Sequence, residues 1–205
     1  MSAPEPAAPG VHVVDDDPAV RDSLGWLFRT RGLPVTVWDS GEAFLAAWRP
    51  GWRGCVVLDV RMTGLSGLDV LDRLKAQNAA QPVIVLTGHG DVPIAVQALK
   101  NGAHDFLEKP FDADDLVGRV VAALELESRR HDETRAAQGV ADRLASLSAR
   151  EQEVLDLLLA GLMNKQIADR LGITMRTVEV HRARILEKFG VRSAVELAHR
   201  IAKVR

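Results

Sequence analysis

Cysteine is almost missing from this 205-residue chain: Cys55 is the only one, it sits inside an apolar run, and no disulfide can close within the chain. That usage fits a reducing compartment. Long hydrophobic stretches are missing as well, since no apolar run approaches the roughly 18–20 residues of a membrane span. The Ala- and Pro-rich start lacks the basic-then-apolar order of a secretory signal. An excess of one charge is also lacking: 26 Lys/Arg stand against 28 Asp/Glu, with a pI near 6.3, so the average surface has no bulk attraction for polyanions. These absences point to a cytoplasmic protein with no membrane partner.

What is present is ordinary globular composition, 47% hydrophobic and 26% charged, which is enough to bury a core and argues against general disorder. The length suggests two modest domains. Counting by segment exposes an asymmetry that the average hides. Residues 1–127 carry 11 Lys/Arg against 18 Asp/Glu, net −7, and residues 140–205 carry 12 against 8, net +4. An acidic front half suits a metal cation and a basic rear half suits nucleic acid.

Residues 1–10 have no periodic apolar face and are expected to be a disordered tail. From Val11 onward, short apolar runs alternate with segments of helical period. The runs are Val11–Val14, Pro34–Trp38, Cys55–Leu58, Pro82–Leu86 and Asp105–Leu107. The helical segments are Pro18–Arg31, Gly41–Arg49, Gly67–Gln77, Val92–Asn101 and Asp112–Glu127. Five strand–helix pairs imply an α/β domain, a doubly wound parallel sheet covered on both faces. Asp17, Asp91 and Asp112 are expected N-caps, with Pro18 at the first helical position.

In such sheets ligands bind beyond the carboxyl ends of the strands. Those ends carry Asp15 and Asp16, then Asp59, Thr87 and Lys109. A single carboxylate after an apolar run is usually a loop cap; five functional groups on one predicted sheet edge are a pocket. Three converging carboxylates repel unless Lys109 or a hard divalent ion such as Mg²⁺ neutralises them. Asp15, Asp16 and Asp59 are the candidate metal carboxylates, with the Arg61 carbonyl as a further ligand. The set suits phosphoryl transfer to a carboxylate, where positioning and charge neutralisation do most of the catalysis. Asp59 would be the phosphoacceptor, Lys109 would pair with a phosphoryl oxygen, and Thr87 would hydrogen-bond the modified group. Gly64, Gly67 and Gly88 would let backbone N–H groups approach the phosphate. His12 reads as a packed strand residue and His89 as a mobile loop residue.

The blocks Val13-Val14-Asp15-Asp16-Asp17, Leu58-Asp59-Val60-Arg61-Met62, Thr87-Gly88-His89-Gly90 and Phe106-Leu107-Glu108-Lys109-Pro110-Phe111 resemble the receiver domain of two-component response regulators. The likeness runs over about 115 residues of this chain. It implies a flavodoxin-like fold, an aspartyl phosphate at Asp59 and a sensor histidine kinase as donor. It further implies switching by Thr87 and Phe106 and a cis Lys109–Pro110 peptide. Thr63 departs from the pattern, which usually has proline there; threonine adds a hydrogen-bond donor beside Asp59 and removes rigidity.

Residues 126–146 read as a charged linker that starts as a helical extension and loosens at Gly139. Ser148 and Glu151 then have capping-box spacing, opening a helix to about Ala160 that turns Val154, Leu155, Leu158 and Leu159 inward. Asn164 is the expected cap of a second helix ending at Leu171, Gly172-Ile173 a tight turn, and Thr174 the cap of a third helix to about Phe189. Short helix, glycine turn and basic helix are a helix-turn-helix signal. Ser193 and Glu196 open a fourth helix. At 100° per residue, Val178, Ile185 and Phe189 share a packing stripe, and Arg176, Val180 and Ala183 face away with Glu179 beside them. Thr177, Arg184 and Lys188 flank that face, and Lys165 joins from the second helix; these eight polar, basic and small residues are the candidate DNA contacts. Arg182 lies nearer the packed side, where Glu151 is an expected partner.

The blocks Leu147-Ser148-Ala149-Arg150-Glu151, Gly161-Leu162-Met163-Asn164-Lys165-Gln166-Ile167-Ala168 and Thr177-Val178-Glu179-Val180-His181-Arg182 resemble the LuxR-type helix-turn-helix of the NarL/FixJ regulators. The resemblance implies dimers on paired half-sites, with Glu179, Val180 and Ala183 facing bases. The expected organisation is a tail at 1–10, a receiver at 11–125, a linker at 126–146 and an all-α DNA-binding domain of four helices at 147–205. The expected function is phosphorylation-controlled transcription regulation, not an enzyme beyond Mg²⁺-dependent turnover of its own phosphate. The partners are a sensor histidine kinase, double-stranded promoter DNA, a second copy when phosphorylated, and RNA polymerase. The alternatives are a helix-turn-helix regulator that ignores phosphorylation and an aspartyl-phosphate phosphatase. Against the latter, Arg61 stands two residues after Asp59, where a general acid would be needed.

Overall fold

The computed structural model describes residues 9–88 and 92–202 and divides at Arg130/His131 into two compact units. The expected cap Asp91, the loop residue His89 and most of the expected N-terminal tail lie outside the described residues.

The front unit is a five-stranded parallel sheet, β1 (Gly10–Val14), β2 (Val35–Trp38), β3 (Gly54–Asp59), β4 (Val83–Thr87) and β5 (Asp105–Glu108), in the order β2-β1-β3-β4-β5. The helices between them are α1 (Pro18–Thr30), α2 (Gly41–Ala47), α3 (Gly67–Ala76) and α4 (Val92–Lys100). β1, β3 and β4 are buried at every position, because helices cover both faces and a parallel central strand has no solvent side. Alternate residues therefore feed two different cores. Val11, Val13, Cys55, Val57, Ile84 and Leu86 join Leu24 and Phe28 of α1 on one face. Val14, Val56, Leu58, Val83 and Val85 join Phe44, Val70 and Leu74 on the other. Burying each such side chain contributes about 1.5–3 kcal/mol. His12 packs as its strand position predicts, stacked on Trp52 with ring centroids 5.2 Å apart.

Helix α5 (Ala113–Ala145) contains the helical extension expected of residues 126–146 and corrects only the loosening expected at Gly139. Its start follows the Asp112 cap, which accepts from Asp114 and Asp115 N–H groups at 2.8 and 3.0 Å. It then runs for 33 residues and does not loosen at Gly139. Ala, Arg, Leu, Glu and Gln, which favour helix, fill 20 of its 33 positions, and one glycine costs only about 1 kcal/mol against them. Leu116, Val117, Val120 and Ala123 of α5 pack into the front core, and Val140 packs into the rear one.

The rear unit contains α6 (Ala149–Leu159), α7 (Asn164–Leu171), α8 (Met175–Phe189) and α9 (Ala194–Ala202). The Ser148/Glu151 capping box is complete, and Thr174 caps α8 by accepting from Thr177 N–H at 3.2 Å. Asn164 is not the cap of α7. That position is Met163, whose N–H donates to Gln166 Oε1 at 2.8 Å, while Asn164 is the first helical residue and accepts from Arg182. Val154, Leu155, Ile167, Val178, Ile185, Phe189, Leu197 and Ile201 form the core.

Candidate functional site

The strand order puts the ends of β1 and β3 side by side with β4 and β5 next in line, so the chain delivers Asp15, Asp59, Thr87 and Lys109 to one edge. Register does the placing: Val14 pairs with Leu58, and Asp59 with Leu86, one residue before Thr87. Behind Asp59 the chain turns tightly. A Cβ on Gly67 would lie 2.2 Å from the Asp59 carbonyl oxygen, so only glycine fits where α3 begins. The Gly67 N–H itself donates to the Val60 carbonyl at 3.0 Å.

Lys109 is the hub of the pocket, donating from Nζ to Asp15 Oδ2 at 3.0 Å and to Asp59 Oδ1 at 2.7 Å. Asp15, Asp59 and Thr87 are buried, and Lys109 is half-buried. Asp16 is held separately, accepting at Oδ2 from the Thr63 N–H at 2.8 Å. Oxygens of Asp15, Asp16 and Asp59 lie within 4.8 Å of one another. Three hard carboxylate donors at that spacing, with one lysine against three negative charges, fit a divalent cation that prefers oxygen. The Arg61 backbone N–H hydrogen-bonds Asp59.

The electrostatics of the pocket are unbalanced. Burial pushes the Asp59 carboxyl above the usual carboxylate range; the Lys109 bond and charge pull it down, and the Asp15 charge raises it again. Burial also works against the charged Lys109, yet hydrogen bonds to Asp59 and Asp15 leave its pKa raised. Lys109 is thus well satisfied, and Asp59, sharing its cation with a second carboxylate, is not. Asp16, partly exposed, is lowered mainly by the Thr63 N–H.

Gly88 follows Thr87, and the Lys109 N–H donates to the Thr87 carbonyl at 2.8 Å, tying the ends of β4 and β5 together. Phe106 is half-buried against the α2–α4 core. The Lys109–Pro110 peptide is cis. Three supporting residues escape sequence reasoning. Arg21 donates to the Asp15 carbonyl at 2.8 Å, Glu42 accepts from the Leu65 N–H at 2.9 Å, and Glu127 receives two bonds from Arg53 at 3.0 Å. Each joins residues outside one another's local pattern, so no short motif carries them.

In the rear unit three residues, Gly172, Ile173 and Thr174, separate α7 from α8, and Gly172 takes the left-handed conformation at φ 62° that the turn requires. Val178, Ile185 and Phe189 are fully buried, and the opposite face of α8 is open. Lys165, Arg176, Glu179, Val180, Ala183 and Arg184 are exposed. Thr177 is half-buried, its hydroxyl 2.8 Å from that of Thr174, so it belongs partly to the helix cap. Lys188 differs from expectation: its Nζ is bound to Glu151 Oε2 at 2.7 Å and to the Ser146 carbonyl at 2.8 Å. Lys188 thus takes the Glu151 partnership expected of Arg182, because it lies more than a turn further along α8, and Arg182 binds Asn164 instead.

Comparison with known proteins agrees with both halves. Residues 11–121 match the response regulator receiver domain, and residues 145–201 match the bacterial regulatory proteins of the luxR family. The C4-dicarboxylate transport transcriptional regulatory protein DctR of Rhodobacter capsulatus is 54% identical over 92% of this chain and 96% of its own length. The transcriptional regulatory protein FixJ of Azorhizobium caulinodans is 51% identical over 91% and 89%. Among solved structures, the response regulator StyR superposes with a TM-score of 0.90 at 43% identity, covering 96% of this chain and 100% of that one. Full-length FixJ from B. japonicum superposes at 0.59, with 46% identity over 96% and 97%. A receiver joined to a LuxR-type helix-turn-helix defines a DNA-binding transcriptional response regulator. The chain belongs to the NarL/FixJ family of these regulators.

Proposed function

We propose that Asp59 is the phosphoacceptor, taking a phosphoryl group from a sensor histidine kinase, and that the modification controls dimerisation and promoter binding through α8. The observation that carries this reading is the Lys109 bridge between Asp15 and Asp59 at the sheet edge, beside Asp16. An Asp59 oxygen attacks phosphorus as the bond to the donor nitrogen breaks. Lys109 is already within 2.7 Å of the attacking carboxylate and remains to pair with the phosphoryl oxygens. Asp15, Asp16 and Asp59 would hold Mg²⁺, with the Arg61 carbonyl as a further ligand; the ion would supply charge neutralisation at the transferred group. Thr87, Gly88, Phe106 and Pro110 form the responding side of the pocket. A groove of about 420 Å³ beside Lys109, lined by Ala19, Val20, Ser23, Leu24, Pro110 and Phe111, suits docking of the kinase.

Lys165, Arg176 and Arg184 serve phosphates, with Glu179, Val180 and Ala183 toward base edges. Thr177 lies at the helix start, and Lys188 drops out of the DNA-facing group because its charge is used internally. A dimer on two half-sites gains affinity by effective concentration. RNA polymerase is the partner through which a promoter-bound regulator acts, and the cytoplasm is the compartment where it meets DNA. Arg61 stands two residues after Asp59, where a phosphatase would need a general acid, which favours a switch over a phosphatase.

The test is Mg²⁺-dependent labelling with a small acyl phosphate. One phosphoryl group per chain is expected, and none on Asp59→Asn; persistent labelling of that variant sinks the assignment. Equal DNA affinity and equal oligomer size with and without phosphorylation would favour the phosphorylation-independent regulator.

A further inference from the structure

Each carboxylate of the acidic cluster has a holder. Lys109 fixes Asp15 and Asp59 together. Asp16 is partly exposed and is fixed by Thr63, through the N–H at 2.8 Å and the hydroxyl. This backbone donor depends on the residue type, because a proline at position 63 has no N–H to offer. In the conformation so held, an Asp16 oxygen already lies within 4.8 Å of oxygens on Asp15 and Asp59.

The Thr63 N–H needs a seat of its own, since it belongs to an exposed loop between β3 and α3. Glu42, in the first turn of α2, provides it. Its Oε1 accepts from the Leu65 N–H at 2.9 Å, two residues beyond Thr63. Gly64, between them, takes φ 77°, and a Cβ there would come within 2.5 Å of that same Glu42 oxygen. The carboxylate therefore lies directly against the loop backbone. On the other side the loop is pinned by the Gly67 N–H to the Val60 carbonyl at 3.0 Å. Held at both ends, the segment presents the Thr63 N–H in one place.

We infer that Glu42 and Thr63 form a two-step latch, in which Glu42 seats the Gly64-Leu65 backbone and the Thr63 N–H then holds Asp16 ready for a divalent cation. Both are positioning residues, since neither is a ligand; a carboxylate fixed before binding loses less freedom when the ion arrives. The inference rests on the acidic cluster being a cation site.

The test uses Mn²⁺ as the probe, with affinity read by titration of the free ion's paramagnetic signal and by calorimetry, on the full chain. Thr63→Pro removes the N–H and Glu42→Ala releases the loop without touching Thr63. Each is expected to weaken Mn²⁺ binding by about three- to tenfold, the range for losing one supporting hydrogen bond. Glu42→Gln keeps an acceptor oxygen and is expected within about twofold of the parent, and Thr63→Ala, which loses the hydroxyl but keeps the N–H, is expected between the parent and Thr63→Pro. Parent-like affinity of Glu42→Ala overturns the latch even if Thr63→Pro does not fold. Weakening by Glu42→Gln as large as by Glu42→Ala also overturns it, since charge and not the hydrogen bond would then be responsible. Failure of the parent chain to bind Mn²⁺ would overturn the cation-site reading itself.

Discussion

Asp59 and Glu151 are each buried beside a lysine, and they behave in opposite ways. Asp59 in the front unit has Lys109 at 2.7 Å, and Glu151 in the rear unit has Lys188 at 2.7 Å. Burial lifts the Asp59 carboxyl above the usual range. Glu151 is pulled down to about 2 by the Lys188 hydrogen bond and by the Ser148 N–H. The pairs differ first in burial, which dominates at Asp59 and is outweighed by hydrogen bonds at Glu151, and then in how the lysine is shared. Lys109 is shared with Asp15, so two anions divide one cation; Lys188 serves one carboxylate, which also completes a capping box at the start of α6. A finished pair stabilises a fold, and an unfinished one leaves charge for an incoming group.

Four substitutions or conditions test that contrast, beginning with the largest effect. Lys109→Met is expected to cut phosphoryl uptake by about 100-fold or more, the cost of removing an aligned charge from a transfer site; near-parent rates of labelling would remove Lys109 from the chemistry. Lys188→Met leaves Glu151 buried without its cation. The expected loss is about 1–2 kcal/mol of rear-unit stability in denaturant titration, below a fully buried pair because the lysine is partly solvated. Phosphoryl uptake should be unchanged in that variant.

Acid should separate the two carboxylates in sign. Glu151 titrates near 4.5 when unfolded and about 2 when folded, so its contribution is complete above about pH 4.5 and fades as pH falls toward 2. Asp59 has a raised folded pKa, so the cost of its buried charge is relieved as pH falls through that value and is gone below the ordinary 3.8. As pH rises from acid, the stability of Glu151→Gln should therefore fall below the parent's and that of Asp59→Asn should rise above it; differences of the same sign would erase the distinction. The smallest effect is on the open face of α8. Arg184→Ala should weaken DNA binding similarly on all sequences. It should also reduce the slope of log affinity against log salt by about 0.9 for each phosphate left without its cation.

Much of this is legible in the sequence, for identifiable reasons. Strand ends mark a sheet edge, and the apolar runs before Asp15, Asp59 and Thr87 locate them without any tertiary knowledge. The packing stripe of α8 follows from helical period, and Val178, Ile185 and Phe189 are buried as that period requires. Partner choice among charges is not legible in the same way. Lys188 reads as a flank residue that reaches phosphates and Arg182 as the partner of Glu151, and the structure exchanges these roles over a difference of between one and two helical turns. The linker misleads for another reason: low apolar periodicity suggests loosening, although helix-favouring residues and the packing of Val140 into the rear core carry the helix through Gly139. Glu42 is invisible in the sequence because its partner is a backbone N–H in another loop.

The doubled burial of β3 carries a consequence for length variation. All six residues from Gly54 to Asp59 are enclosed, with Cys55 and Val57 in one core and Val56 and Leu58 in the other. Removing or adding one residue within that strand would exchange the two sets and carry Asp59 out of line with Lys109. Insertions and deletions in chains built this way are therefore confined to connecting segments such as residues 49–53, and the six-residue ruler that ends in Asp59 keeps its length.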